Sequence, residues 1–451
     1  MRTIILLAGI MMSLSTVHAD TSRFLWGAAF SSHQVEGGND KSDWWDWEHV
    51  PGRIERGETT EVACDHYNRF REDFALAQQL GLNTVRLSVS WSRIEPSPGF
   101  FDPRELNHYR DVVMDLRARG IEPVVTLHHF THPRWFHEAG GWTSAESPKL
   151  FAAFAEAVAT ALYPHVSIWI TFNEPMVQIT EGYLKGAYPP GISDFKTGVK
   201  VFENLVRAHA AAAKVLREHT PPSAKALAVH GVGIALNLNV FHPAHDPATE
   251  AGQEDLKGIA VLEHLSGWAA LEALQTGHLA WDIPPIPALK KGHREALDVA
   301  EAAHSLDWVG VNYYSRYLIE RDPSNDLGVR WIEPPGGGTY PEGMGEIVKS
   351  TERHLSDRLP IVVSENGIAD ALDAQRAGFI QRHLESLRGA ISTGSDVRGY
   401  WYWSLTDNFE WNSGYSPRFG LVEIDYATLK RTVRPSARWY HDFIANHPEG
   451  P

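Results

Sequence analysis

The sequence predicts an α/β fold, a single (β/α)8 barrel of the TIM type, and three observations carry that expectation. Eight short apolar runs, rich in residues that favour strands, lie along residues 24–403 and alternate with amphipathic stretches of helical length. Connections of helix length between strands imply parallel pairing and right-handed crossovers. Most of the runs end on, or pass straight into, a polar or aromatic residue. Barrel strands converge at their C-terminal ends on one mouth, where active sites are built.

The elements follow in order. Residues 24–31 form the first strand, with a helix at 67–80. The second strand, 84–90, contains Val85-Arg86-Leu87-Ser88 and is followed by a helix at 105–119. The third, 123–129, ends on His129, and a helix over 150–162 comes next. The fourth, 166–173, finishes on Asn173 and runs into Glu174-Pro175. Proline cannot continue a ladder and restricts the residue before it, so Glu174 is held at the strand end. A helix over 199–217 leads to the fifth strand, 226–233, and two further helices are expected over 257–276 and 294–304. The sixth strand, 308–313, runs into Tyr314. The seventh, 361–364, is followed by Glu365 and the sharp turn Asn366-Gly367, then a helix over 372–392. The eighth, 399–403, closes on Trp403.

Length alone, 451 residues, would allow several domains, but no Ser/Gly-rich linker, charge block, low-complexity stretch or short repeat divides the chain. With 43% hydrophobic and 22% charged residues it can bury a large core, so one folded unit over residues 20–451 is expected. The first 19 residues read differently. Met1-Arg2 gives a positive start, Ile4 to Met12 is apolar apart from Gly9, and Val17-His18-Ala19 places small residues at the −3 and −1 positions before Asp20. That apolar run is too short to span a bilayer. The expectation is a cleaved signal peptide and an exported mature chain, periplasmic or extracellular and free of the membrane.

The formal charge of −15, from 56 acidic and 41 basic side chains, repels phosphate backbones and argues against nucleic acid as a partner. Cys64 is the only cysteine, so no intramolecular disulfide can form and a buried, inert thiol is expected. His128, His129 and His132 cluster, but their spacing carries no carboxylate partner, and neither metal nor cofactor is expected. The chain holds 16 Trp and 14 Tyr. Beside carboxylates in loops, such rings suit a sugar site, where a flat face meets pyranose C–H groups.

Two glutamates capping separate barrel strands, Glu174 and Glu365, meet the two-carboxylate requirement of glycoside hydrolysis. Four blocks then carry a family resemblance. They are residues 24–38, with Trp26-Gly27 and Ser31-Ser32-His33-Gln34; Thr171-Phe172-Asn173-Glu174-Pro175; Ile361-Val362-Val363-Ser364-Glu365-Asn366-Gly367; and Trp403 to Trp411 followed by Gly414-Tyr415 and Arg418-Phe419-Gly420. In this order and spacing the sequence resembles glycoside hydrolase family 1, the β-glucosidase family, across nearly all of residues 24–443.

The resemblance implies roles residue by residue. Glu365 is the expected nucleophile, kept ionised by Arg86. Glu174 is the expected acid/base, its pKa raised by the neighbouring charge of Glu365 and released once Glu365 is esterified. Asn173 is expected at the sugar 2-hydroxyl, Tyr314 against the nucleophile, and Asn312 in support. Gln34, His129, Glu410 and Trp411 are expected to read the remaining hydroxyls, Trp403 to lie under the ring and Phe419 to form a wall near C6. The implied activity is retaining, exo-acting β-glucosidase action on an unphosphorylated β-glucoside or oligosaccharide.

Phe130 departs from the family pattern, where tryptophan commonly follows the histidine that matches His129. It removes an indole N–H from the glycone site and leaves β-galactosidase or β-fucosidase selectivity, or a chiefly transglycosylating enzyme, as alternatives. A non-catalytic sugar-binding barrel is the alternative of another class. Such relatives typically lose one glutamate, and both stand here; thioglucosidases replace the acid/base that Glu174 keeps. The intact Glu410-Trp411 pair argues against a phosphorylated glycone. Aglycone preference is expected to lie in the loops at 183–195 and 322–342.

Overall fold

The computed structural model describes residues 23–283, 291–325, 327–334 and 337–451. The expected signal peptide, residues 1–19, lies outside them.

Eight parallel strands close into a barrel: β1 (Leu25–Ala29), β2 (Thr84–Ser88), β3 (Glu122–His128), β4 (Ile168–Asn173), β5 (Gly231–Asn237), β6 (Trp308–Asn312), β7 (Ile361–Asn366) and β8 (Val397–Trp403). They neighbour one another in chain order, and β8 pairs with β1 to complete the ring, Leu25 opposite Gly399 and Ala29 opposite Trp403. Side chains on both strand faces are buried, inside the barrel or under the surrounding helices, which is why these runs read as nearly continuous apolar stretches. The interior is filled by Leu25, Val124, Ile168, Ile170, Ala235, Val362 and two edge-to-face tryptophans, Trp308 and Trp401, 5.9 Å apart. Large rings there require a small residue opposite. A Cβ on Gly233 would fall 2.4 Å from the Trp308 ring.

A larger apolar layer lies between the barrel and its helices, which carry their own signals. Asp102 caps Pro103–Ala118, its carboxylate accepting from the Arg104 N–H, with proline in the first turn. Asp194 likewise caps the 24-residue helix Phe195–Glu218.

Three expectations are corrected. The fifth strand is Gly231–Asn237 rather than 226–233; Pro222–Ala226 is a turn of 3-10 helix, and alternation of Val232, Ile234 and Leu236 with Gly233 and Ala235 sets the true register. The small residues on one face hid that alternation. The helix expected at 294–304 is instead the strand His293–Asp298, six residues paired antiparallel with His278–Ile283, followed by the short turn Ala300–Ala302. A hairpin ladder there overrides the helical preference of Glu, Ala and Leu. The helix expected at 257–276 begins at Glu250 and is interrupted by a wider π turn at His264–Trp268. Beyond the barrel, Val240–Pro243, Arg316–Arg321 and Val329–Ile332 form a small sheet beside the mouth.

Register shifts interrupt the ladders near the C-terminal ends of the strands that carry the two glutamates, between Ile170 and Asn173 and between Val363 and Glu365. Such irregularities bend a strand locally and re-aim its side chains.

Candidate active site

Arg86 on β2 is fully buried at the barrel's top, with its guanidinium turned toward both Glu365 and Asn173. One nitrogen donates to Glu365 Oε1 at 2.6 Å and to the Ser364 carbonyl at 3.1 Å; the other donates to Asn173 Oδ1 at 2.6 Å. Tyr314, just past β6, donates its hydroxyl to Glu365 Oε2 at 2.7 Å. Both oxygens of Glu365 are therefore held by strong donors. Burial pushes its pKa above the usual carboxylate value, while Arg86 and Tyr314 pull it back.

Glu174 is held differently. Its Oε1 accepts from the carboxamides of Asn312, at 2.8 Å, and Asn237, at 3.1 Å. With no cation on it, burial first and the charge of Glu365 second push its pKa up to about 7. The expected cause, Glu365, is present but ranks behind burial. Glu174 also sits in the left-handed region, φ +46°, between the end of β4 and Pro175 in the first turn of the helix Pro175–Ile179. Its N–H donates to the Ala235 carbonyl, anchoring the strained residue to β5.

Asn312 ties the group together. Ser364 donates to its Oδ1 at 2.6 Å, and its nitrogen reaches both Asn173 Oδ1 and Glu174 Oε1. His129 accepts from Asn173 at 3.3 Å; burial keeps its imidazole far below the usual histidine pKa, hence neutral. Trp403 lies parallel to His129 with ring centroids 5.7 Å apart and donates its indole N–H to Glu410 Oε1 at 3.1 Å. Burial pushes Glu410 up to about 8.

These groups face one cavity of about 250 Å³, lined by His129, Phe130, Asn173, Glu174, Val177, Tyr188, Asn237, Tyr314, Glu365, Trp403, Glu410, Trp411 and Phe419. Arg86 and Asn312 stand behind the lining. Gln34 does not reach the cavity. Its amide nitrogen donates to Asn408 Oδ1 and the Phe409 carbonyl, both at 2.8 Å, and its oxygen accepts from Ser31, so it clamps the segment that carries Glu410. Asn237, Val177 and Tyr188 do not stand out in the sequence. Asn237 is an asparagine ending a strand, as Asn173 and Asn312 are, and the misplaced fifth strand concealed it. Tyr188 belongs to the 183–195 loop expected to shape the aglycone side.

Elsewhere, Asp43 supplies His132 with the carboxylate neighbour that local spacing lacked, 3.4 Å away. Among the described residues no group of three or more His, Cys, Asp or Glu side chains could hold a metal ion. Cys64 is buried, donates to the Asp407 carbonyl, and burial pushes its thiol pKa up.

The family model for glycosyl hydrolase family 1 matches residues 19–449. Beta-glucosidase A of Thermotoga maritima is 33% identical, the alignment covering 94% of this chain and 97% of that protein. Beta-glucosidase A of Acetivibrio thermocellus is 32% identical over 94% and 98%. Among solved structures, the family 1 β-glucosidase of Thermotoga maritima in complex with glucoimidazole superposes with a TM-score of 0.83 at 32% identity, covering 94% of this chain and 98% of that one. The AHE enzyme from Alicyclobacillus herbarius superposes at 0.86, with 30% identity over 94% and 97%. Likeness of this extent, over a barrel whose mouth carries both glutamates, makes the chain a member of glycosyl hydrolase family 1.

Proposed function

We propose that the chain is a retaining, exo-acting β-glucosidase that releases glucose from unphosphorylated β-glucosides by double displacement. The observation that carries this reading is the unequal treatment of two buried glutamates in one cavity. Arg86 and Tyr314 favour a carboxylate at Glu365, whereas Glu174 accepts from neutral amides only and takes the proton that the pair shares near neutral pH.

Glu365 attacks the anomeric carbon while Glu174 protonates the departing oxygen. The ester then cancels the charge of Glu365, which no longer raises the pKa of Glu174, so Glu174 is left ionised to draw a proton from the incoming water. Asn173, fixed by Arg86 and His129, meets the 2-hydroxyl; Trp403 lies under the ring; Glu410 and Trp411 read hydroxyls further in, and Gln34 acts one layer back by holding Glu410 in place. A cavity of about 250 Å³ suits a single terminal sugar rather than a chain threaded through.

The test is hydrolysis of a panel of aryl β-glycosides with the product anomer followed by NMR. Release of β-glucose first, with kcat/KM highest for the glucoside, supports the reading. Release of the α-anomer first would make the enzyme inverting. Preference for the galactoside or fucoside would favour the alternative glycone, for which Phe130, lining the cavity without an N–H to donate, is the specific observation.

Discrimination against a phosphorylated glycone does not need a charge on Glu410. With a pKa near 8, Glu410 in the free enzyme is mostly protonated at neutral pH, so repulsion by its charge is weak. What the cavity lacks is a cation: no Lys or Arg is in its lining, and a buried phosphate dianion would go unpaired. An aryl 6-phospho-β-glucoside should turn over at least about a hundredfold more slowly than the plain glucoside, a cost of roughly 3 kcal/mol. Comparable kcat/KM values would overturn this.

The chain is further proposed to be exported after cleavage near Ala19-Asp20, on the pattern of residues 1–19. Among the described residues no helix is long and apolar enough to cross a membrane. N-terminal sequencing of fractionated protein decides it; cytoplasmic chains that still begin at Met1 would overturn it.

A further inference from the structure

β5 ends at Asn237, and the chain continues through Leu238 to Asn239. Leu238 is buried, while the asparagines on either side of it are half-buried, the alternation of extended chain. Asn239 donates its amide nitrogen to Asn237 Oδ1 at 2.8 Å, and Asn237 donates its own to Glu174 Oε1 at 3.1 Å. Asn239 itself is absent from the cavity lining.

A carboxamide has an acceptor end and a donor end, so a partner that fixes one end fixes the other. With Oδ1 of Asn237 engaged by Asn239, only its NH2 faces Glu174. Turned over with Asn239 kept in place, Asn237 would set an oxygen against Glu174 Oε1 and leave the Asn239 NH2 with no acceptor. The second amide on Glu174 is fixed in the same manner: Ser364 donates to Asn312 Oδ1 at 2.6 Å, which turns the Asn312 NH2 toward the same oxygen at 2.8 Å. Two carboxamides, each pinned by its oxygen from outside the cavity, thus converge on Oε1.

We propose that Asn239 is a positioning residue for the acid/base: it locks Asn237 with its NH2 on Glu174 Oε1, so that the transferable proton is carried by Oε2. The proposal rests on the reading of Glu174 as acid/base. An oxygen that already receives two N–H groups has no place for a proton of its own, whereas no donor occupies Oε2 among the described residues. Each N–H also favours the ionised glutamate, which assists the second step, where Glu174 must act as base. The other charged or titratable groups facing Glu174 are Glu365 from β7, Arg86 from β2, Tyr314 after β6 and Tyr188 from the loop after β4. None of these is altered by a change at Asn239.

The test is the pH profile of kcat/KM on a nitrophenyl β-glucoside for N239A, N237A and the double variant. Loss of either asparagine should move the alkaline limb upward by about 0.5 pH unit, the size expected for one weakened hydrogen bond to the charged form. The acid limb, which reports Glu365, should stay in place, which separates this effect from a disturbed fold. Because Asn239 acts through Asn237, the double variant should shift no further than N237A alone. An unmoved alkaline limb in N239A, or a double variant showing the sum of the two shifts, would overturn the proposal. The titration of Glu174 read directly by 13C NMR of its carboxyl carbon measures the same shift without turnover, so an absence of β-glucoside hydrolysis would count against the proposed function and leave the Asn239 question decidable.

Discussion

Glu174 and Glu365 carry the same side chain and are buried to nearly the same depth, 7% and 3% exposed, so the donors around each must separate their roles. The faces they open are separable by rescue. Glu365→Ala should lose turnover and regain it with azide as the α-glycosyl azide, while Glu174→Ala should yield the β-azide from an activated substrate, as NMR of the products will show. Reversed anomers would exchange the two roles. The pH profile follows from the same contacts. Glu174 must be protonated to donate, so kcat/KM should fall as pH rises through about 7, and it should fall on the acid side as Glu365 takes up a proton. An alkaline limb near 5 would mean that burial does not hold the proton on Glu174.

At the scale of elements, strand ends and the loops after them place the chemistry. The loop after β8 carries Glu410 and Trp411, and its root is an ion cluster. Asp407, wholly buried, accepts from both terminal nitrogens of Arg434, at 2.8 and 2.9 Å, from Arg418 at 3.3 Å and from the Gly420 N–H at 2.9 Å. Removing the acid would leave Arg434 buried without a counter-charge. Asp407→Ala should therefore destabilise the protein by about 3–5 kcal/mol and lower Tm, read by calorimetry. A loss under about 1 kcal/mol would show that water reaches the site. The glutamates were legible in the sequence because proline and glycine turns flank them, and a strand end needs only local pattern to be seen. Asn237 was not, since Gly233 and Ala235 face the barrel interior against Trp308 and give their strand no apolar signal on that side. The hairpin arm His293–Asp298 was missed for the converse reason: its residues favour a helix, and only the ladder to His278–Ile283 makes it a strand.

At the scale of the whole molecule, several carboxyls are buried without full compensation, and their combined effect is a pH dependence of stability. Burial raises Asp43 to about 8, Glu410 to about 8, and Glu122 and Glu174 to about 7. In the unfolded chain these groups ionise near 4, so between about 4 and 8 the folded state holds protons that the unfolded state has released. Their stabilising contribution is complete below 4 and is lost as pH rises through 7 to 8. Asp73 runs the other way: burial raises it, but His66 and Arg431 more than offset that, and its contribution is lost only as pH falls below the usual carboxylate range. Tm should therefore be higher at pH 6 than at pH 9. Glu410→Gln keeps an acceptor for the Trp403 N–H and removes the ionisation, so it should raise stability at pH 9 by on the order of 1 kcal/mol, and less at pH 6, while lowering kcat/KM. Equal effects of Glu410→Gln at the two pH values would contradict a raised Glu410.

The sequence by itself determined the eight-fold alternation, the two glutamates and the loops that bear them, because strand pattern, proline before a turn and the order of motifs are properties of neighbouring residues. Tertiary structure alone decided how far each side chain reaches. Only closure of the barrel sets Arg86 between Asn173 and Glu365, which lie on strands four and seven, and retires Gln34 behind the Phe409–Glu410 backbone, while the pairing of β4 with β5 brings Asn237 onto Glu174. These contacts depend on register and on desolvation. Both arise from the whole ring of strands, and no local run of residues contains them.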